Sequence, residues 1–361
     1  MNKESFEINV LPAGSGDCIH LRFGSVDEWH NVIIDSGPTG NETNFRKLME
    51  RISKAGECVD LLCFTHVDDD HINGAKKFLG NREKYAETNP STLIKEIWMN
   101  IPPEEAEKIK KKEPSGEKQT TVDSAEDLYG YIQWHEIPCQ TRVFKGIMPA
   151  LPIGNAIIEV VGPTEERLKE LEKEWQKTKR SGEKQTAPDD DSETNGASII
   201  LLVTFDGKKM LFCGDAFRED LKKVAEELQK RQETEDKLKI ETKDDRADEL
   251  MDASTANEKK ELLFLVKLPH HGSPRNIDEE MLKKLCCSRF IISTKNNSKR
   301  PGTETLKLLS DYGSSEKGVT VYANYNWESK LTQENKTGLT PIWLDKKAIE
   351  IGGKEIVIKT E

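Results

Sequence analysis

The chain's chemistry is concentrated in three short stretches. The first is Thr65-His66-Val67-Asp68-Asp69-Asp70-His71, two imidazoles and three carboxylates in one run, directly after the apolar segment Val59 to Phe64. Such groups at the end of a buried strand are costly unless a charge compensates them, and a divalent cation does so. Alternation along an extended loop aims His66, Asp68 and Asp70 to one side, and a turn into a helix brings His71 round. This is close packing of nitrogen and oxygen ligands suited to zinc, manganese or iron. A helix cap at Asp69 or Asp70 would explain one aspartate, not the whole set. The second stretch, Phe212-Cys213-Gly214-Asp215, and the third, Pro269-His270-His271-Gly272-Ser273, each follow an apolar strand pattern. Active-site groups of α/β proteins sit at such strand ends. Taken singly, Asp215 reads equally well as a helix cap and the His pair as a hydrogen-bonded turn. Jointly they read as a metal site, because four of the chain's seven histidines fall in these motifs.

The elements that must position these residues are legible. FEINVL, CIHLRF and NVIIDS alternate as strands, and Asn44 to Ala55 has helical spacing with Phe45, Leu48, Met49 and Ile52 on one face. The near-continuous apolar run over 59–65 suits a strand buried on both faces and delivers His66. A helix follows from Asp70 to Leu79, and residues 93–99 form the next strand. SIILLVTF and KKMLFCGD make a hairpin through Asp206-Gly207. LLFLVKL, FIIST and VTVYA are further strands, with amphipathic helices between them. The expectation is one domain over 1–361, with charged insertions near 102–128, 163–194 and 218–261 and an additional C-terminal strand region near 312–361.

Composition narrows the function. Hydrophobic residues at 35% and charged residues at 33% point to solvated elaboration around a smaller core. The net charge of -11 disfavours tight non-specific grip on duplex DNA, which needs a basic face. Seven cysteines, with no C-x-x-C spacing and mostly in apolar runs, read as buried reduced thiols of a reducing compartment. The N-terminus shows no secretion signal, and no apolar run approaches the ~20 residues of a membrane helix. The expected location is cytoplasmic, without a membrane partner. The charged insertions are the surfaces a protein partner would use; oligomeric state cannot be read.

T-H-x-D-x-D-H over residues 65–71 is similar to the metallo-β-lactamase signature T-H-x-H-x-D-H, with Asp68 in place of the middle His. The variant resembles the metallo-β-lactamase domain of ComEC-like competence proteins. Gly14-Ser15-Gly16-Asp17-Cys18 followed by Ile34-Asp35-Ser36-Gly37 is similar to that group's opening motifs. Gly214-Asp215 and Leu268-Pro269-His270-His271-Gly272-Ser273 look like its later ones. The match runs over about residues 6–295. The resemblance implies an αββα sandwich: two mixed β-sheets packed face to face, helices outside, metals at one sheet edge. Two departures stand out. Many superfamily members carry a further His ahead of the Gly-Asp hairpin, where this chain has Thr194-Asn195-Gly196. The group's later Gly-His-Pro is replaced by Lys299-Arg300-Pro301-Gly302.

The resemblance further implies two divalent ions, zinc or manganese with magnesium also open. His66 and Asp68 would hold one ion, Asp70 and His71 the other, with Asp215 bridging. His271, or else His270, would complete the second subsite. Asp70 and His271 are the expected catalytic pair. Metal-activated hydroxide would carry out hydrolysis, and the leading substrate is a phosphodiester in single-stranded nucleic acid, an oligonucleotide or a nucleotide. Asn195, Ser273, Lys299 and Arg300 are expected to meet the substrate, with Arg275 and Lys295 as further charge partners. Two other readings stay open: a hydrolase of small lactones, thioesters or amides, and a metal-binding interaction module without turnover.

Overall fold

The computed structural model describes residues 4–81, 88–109, 121–181, 192–241, 261–295, 300–315, 318–332, 337–344, 349–351 and 355–359. The first sheet is built from β1 (Ser5–Val10), β2 (Ile19–Ser25), β3 (Glu28–Ile34), β4 (Leu61–Cys63), β5 (Ile97–Trp98) and β6 (Cys139–Gln140). The second contains β7 (Leu151–Ile153), β8 (Ala156–Gly162), β9 (Ile200–Phe205), β10 (Lys208–Phe212), β11 (Leu265–Lys267), β12 (Arg289–Ile292), β13 (Val319–Ala323) and β14 (Leu339–Trp343). The last strands, β15 (Ile349–Ile351) and β16 (Glu355–Lys359), return to the first sheet, where β16 pairs parallel with β1. Each sheet thus has eight strands among the described residues. In each, an antiparallel run gives way to parallel pairs: β3 to β6 in one, β10 to β14 in the other.

The two-residue period of the strands explains the layering. Phe6, Ile8 and Val10 of β1 meet Leu201, Val203 and Phe205 of β9 in a core between the sheets. The Phe6 and Phe205 rings touch across it with centroids 4.9 Å apart. Alternate residues face outward. Ile33 and Leu62 pack under the helices Glu42–Lys54, Asp69–Gly80 and Thr121–Trp134. Leu202, Leu211, Val266 and Phe290 pack under Arg218–Glu241, Glu279–Leu285 and Thr303–Ser315. The result is an αββα sandwich, two mixed sheets face to face with helices outside, as expected from the sequence. Burying a Leu, Ile or Phe in such layers is worth about 1.5–3 kcal/mol each.

The stretches expected as charged insertions are partly core. Thr121–Trp134 sends Val122, Ala125, Leu128 and Ile132 into the packing outside the first sheet, and Glu165–Ser181 adds Leu168, Leu171 and Trp175. Arg218–Glu241 buries Leu221, Val224, Ala225 and Leu228 against the second. Each charged helix keeps one apolar stripe, which its overall composition hides. Residues 110–120, 182–191 and 242–260 lie outside the described set. The strand expected over 59–65 is regular at Leu61–Cys63, with an isolated parallel bridge from Val59 to Ile94, and Leu61 and Cys63 face the inter-sheet core while Leu62 faces the helices, so it is buried on both faces. The hairpin turn Asp206-Gly207 has φ of 49° and 73°, the left-handed pair that a two-residue hairpin loop requires. All seven cysteines are free. No helix among the described residues is long and apolar enough to cross a membrane.

Candidate metal centre

Parallel pairing brings the chemical residues together. The register Ile34↔Cys63 sets the end of β3 beside the end of β4, so Asp35 lies next to Thr65. Phe212↔Lys267 does the same for β10 and β11. The Ile199 amide donates to the Thr65 carbonyl at 2.7 Å, joining the two sheets where these four strands end. His66 leaves β4, Asp68 occupies the N-cap of Asp69–Gly80 in extended conformation, and Asp70 and His71 open the helix. The Asp68 side chain makes no capping hydrogen bond. It turns instead toward His66, whose Nε2 lies 3.7 Å from Asp68 Oδ2. Gly16 closes the other side, where a Cβ would stand 1.7 Å from the Asp70 carbonyl oxygen.

The imidazoles converge. Asp215 Oδ2 lies 3.6 Å from His71 Nε2 and 3.4 Å from the Nε2 of both His270 and His271. Asp70 stands 3.9 Å from His71 Nε2 through one oxygen and 4.0 Å from His271 Nε2 through the other. The His66 and His71 ring centroids are 4.1 Å apart. Nε2 of His66, His71 and His271 and Oδ1 of Asp215 are buried without a hydrogen-bond partner. Orphaned buried polar atoms cost ~1–3 kcal/mol each. Three inward-facing imidazole nitrogens and a carboxylate, buried together without hydrogen-bond partners, are a donor set that a divalent cation would fit.

The nitrogens facing away from the centre are anchored, which aims each ring. His71 Nδ1 meets Asp35 Oδ2 at 2.8 Å. Asp35 also accepts from the Thr65 amide at 2.7 Å and the Thr65 hydroxyl at 2.8 Å. The same hydroxyl lies 3.0 Å from His66 Nδ1, so one buried aspartate orients two imidazoles, the second through Thr65. His271 Nδ1 donates to the Ser293 carbonyl at 2.9 Å, with Asp17 Oδ1 at 3.3 Å beside it. Asp17, His71, Asp215 and His271 bring one ligand-type atom each to within 4.8 Å of one another. Asp17, however, approaches His271 from the Nδ1 side, behind the ring, and its Oδ2 is paired with Lys267. Its place is that of a positioning group.

The electrostatics follow from burial among like and unlike charges. Burial opposes ionisation of Asp17, but the Lys267 ammonium and His271 hold its carboxyl far below the usual range. Burial likewise opposes ionisation of Asp215, and His271, His270 and His71 hold it well below. Burial, with Asp70 adding repulsion, pushes Asp68 well above its ordinary value, and burial also raises Asp35 against the pull of His71. Burial and then His71 push His66 well down, which keeps its ring neutral. For His71 and His271 burial acts downward but Asp215, with Asp35 or Asp17, carries them above the ordinary value. Cation binding must displace those protons.

Among the expected substrate contacts, Asn195 is fully buried in the short helix Glu193–Gly196, and Ser273 is buried beneath the His-pair turn. Arg300 is half-buried, with its guanidinium on His270 Nε2. Lys295 is exposed, and its amide donates to the Gly14 carbonyl at 2.6 Å. Arg275 is exposed, its amide 3.4 Å from Ser273 Oγ. Lys299 lies outside the described residues. The sequence reading gave no role to Asp17, Asp35 or Lys267. Lys267 had a signal: with Leu265 facing the inter-sheet core, the residue two positions on faces it too, and a charge there requires a buried partner.

Residues 13–132 match the family model of the metallo-beta-lactamase superfamily. Among solved structures, the chain is similar to the metallo-beta-lactamase fold protein YhfI from Bacillus subtilis, at 9% identity over 95% of this chain and 97% of that one, with a TM-score of 0.40. It is similar to a metallo-beta-lactamase from Staphylococcus aureus at 13% identity, over 64% of this chain and 52% of that one, TM-score 0.30. Zn(2+)-bound PqqB from Methylobacterium extorquens shares 13% identity over 57% of this chain and 55% of that one, TM-score 0.29. No curated protein matches the sequence.

Proposed function

We propose that this chain, whose residues 13–132 match the metallo-β-lactamase superfamily model, is a two-metal phosphodiesterase acting on single-stranded nucleic acid, an oligonucleotide or a nucleotide. The observation that carries the hydrolase reading is the set of three buried, partnerless Nε2 atoms around Asp215. His66 and Asp68 would hold one cation and Asp70, His71 and His271 the other, with Asp215 serving both. When bound, two divalent ions supply Lewis-acid polarisation of a phosphoryl group and acidify water at neutral pH. The carboxylate share of the donors favours manganese or magnesium more than an all-imidazole site would, with zinc still compatible.

The chain's own groups do the rest. Asp35 keeps the His71 Nδ1 side occupied, so that its Nε2 faces inward, and Thr65 does this for His66. Asp70, facing both His71 and His271 and the most exposed of the carboxylates at the centre, is placed to take a proton from an incoming nucleophile. Arg300 stands against His270, and Lys330 Nζ donates to the Pro301 carbonyl at 2.8 Å. In a chain of net charge -11, a guanidinium held against an imidazole of the centre favours an anionic substrate. The acidic total favours a short or single-stranded one over long duplex.

Elemental analysis of purified protein, followed by hydrolysis of bis-p-nitrophenyl phosphate with added manganese, tests the reading. Two equivalents of metal and manganese-dependent turnover that Asp70→Ala and His71→Ala abolish are expected. Protein that binds less than one equivalent and turns over no phosphodiester with any divalent ion refutes it. Opening of a chromogenic lactone or β-lactam, with the phosphodiester left untouched, transfers the enzyme to the small-molecule class.

A further inference from the structure

The four imidazoles at the centre are not equivalent. Three of them, His66, His71 and His271, present a buried Nε2 with no partner. His270 is held from both sides. On the Nδ1 side stands Asn276, whose amide nitrogen donates to the Ala216 carbonyl at 3.2 Å and lies 3.5 Å from that of Asp215. This orients the Asn276 amide, so its Oδ1, 3.1 Å from His270 Nδ1, is the acceptor and Nδ1 carries the hydrogen. The lone pair is then on Nε2, and the Arg300 guanidinium, which can only donate, is hydrogen-bonded to it. A lone pair engaged by an N–H is not open to a cation.

We propose that His270 is not a metal ligand but the middle of an Asn276–His270–Arg300 chain that holds a permanent cation beside the metal pair to bind a substrate oxyanion. The inference rests on the two-metal phosphodiesterase reading and names the group that recognises its substrate. His270 Nε2 is 3.4 Å from Asp215 Oδ2, the oxygen that also faces His71 and His271. The guanidinium therefore ends one side chain away from the carboxylate that would serve both cations. Consecutive left-handed residues separate the two rings: φ is 48° at His270 and 55° at His271, and the ring planes stand at 67°. Side chains with a Cβ adopt this backbone at a cost, which is met at sites that need a particular aim. The Arg300 segment is tied to the same turn. The Gly302 amide and the Thr305 hydroxyl both donate to the Gly272 carbonyl, at 3.2 and 2.9 Å. Arginine suits this position because it never loses its charge and its planar fork matches phosphate oxygens.

The test compares wild type with H270Q, R300Q, R300K, H271Q and H270Q/R300Q. Metal-stripped protein is titrated with Mn2+, and the manganese-loaded protein is then titrated calorimetrically with inorganic phosphate. Wild type, H270Q and R300Q are expected to take the same number of manganese equivalents, and H271Q one fewer. Phosphate affinity should fall about 10- to 100-fold in R300Q, less in R300K, and to a similar extent in H270Q. The double variant should bind phosphate no more weakly than R300Q, because His270 acts through Arg300. Loss of a manganese equivalent in H270Q overturns the inference, and so does wild-type phosphate affinity in R300Q. If H270Q does not fold, R300Q and R300K still decide whether the cation recognises the anion. A wild-type protein that takes up no manganese defeats the phosphodiesterase reading itself, and that titration comes first.

Discussion

The buried pair Asp17–Lys267 offers the sharpest quantitative prediction. The side chains are 2% and 1% exposed, so neither charge can turn to water. Lys267 also donates to the Gly214 carbonyl at 3.2 Å, and its Nζ is 3.9 Å from Asp215 Oδ1. Lys267→Met keeps the length of the side chain and removes the ammonium. Asp17 is then a buried carboxylate with His271 Nδ1, at 3.3 Å, and the farther His71 as its remaining positive groups. Breaking one side of a buried pair costs about 3–5 kcal/mol, whereas removing both charges together is often near neutral. K267M should therefore lose about 3–5 kcal/mol, and D17N/K267M much less than the sum of its single variants, a coupling of about 3 kcal/mol. Urea unfolding of metal-stripped protein, followed by circular dichroism, measures this without metal binding adding to the apparent stability. The dependence on pH has a definite sign. Because the folded chain holds Asp17 below its ordinary value, the pair's contribution is complete above about pH 4 and lost as pH falls toward the folded value. The gap between wild type and K267M should narrow on acidification below that point. A K267M protein within ~1 kcal/mol of wild type at neutral pH, or strictly additive single variants, would show that the pair is not the isolated buried unit described here.

Two further substitutions probe how the centre is held. Gly16→Ala drives a methyl group into the Asp70 carbonyl, backbone against backbone, since the distance would be 1.7 Å; manganese uptake should fall in the subsite that contains Asp70 and His71, and full wild-type uptake would contradict the packing. Asp35→Asn puts an amide where one carboxylate accepts from the Thr65 amide and hydroxyl and faces His71 Nδ1. At least one donor must then face another, for a stability loss of about 1–3 kcal/mol and manganese affinity weakened about 10- to 100-fold; unchanged unfolding and manganese titrations would show that Asp35 does not orient the ring.

What was legible in the sequence was local. His66, Asp68, Asp70 and His71 stand within one turn of chain, so residue types and alternation sufficed to group them. Asp215 and His271 were recognisable as strand-end residues. Charged composition misled where the relevant signal was spacing. Val122, Ala125, Leu128 and Ile132 recur every three or four residues and line a buried helix face, as Leu168, Leu171 and Trp175 do. The groups that aim the ligands were harder to find, because their neighbours are fixed by strand order. Asp35 reaches Thr65 only because β3 and β4 are adjacent and parallel in the register that pairs Ile34 with Cys63. Asp17 meets Lys267 only when the two sheets close on each other.

The choice between His270 and His271 shows the same limit at its smallest scale. The two residues are identical in type and consecutive in sequence, so no pattern of spacing separates them. What separates them is the atom behind each ring. His271 has the Ser293 carbonyl, contributed by the chain just past β12, and its Nε2 is left bare. His270 has Asn276 on one nitrogen and Arg300 on the other. Under the proposal above, a ligand is told from a hydrogen-bonded neighbour by whether its inner lone pair is already used, and that depends on groups 6 to 30 residues farther along the chain. Reaction class is carried by the motif, and substrate recognition by what the fold sets behind it.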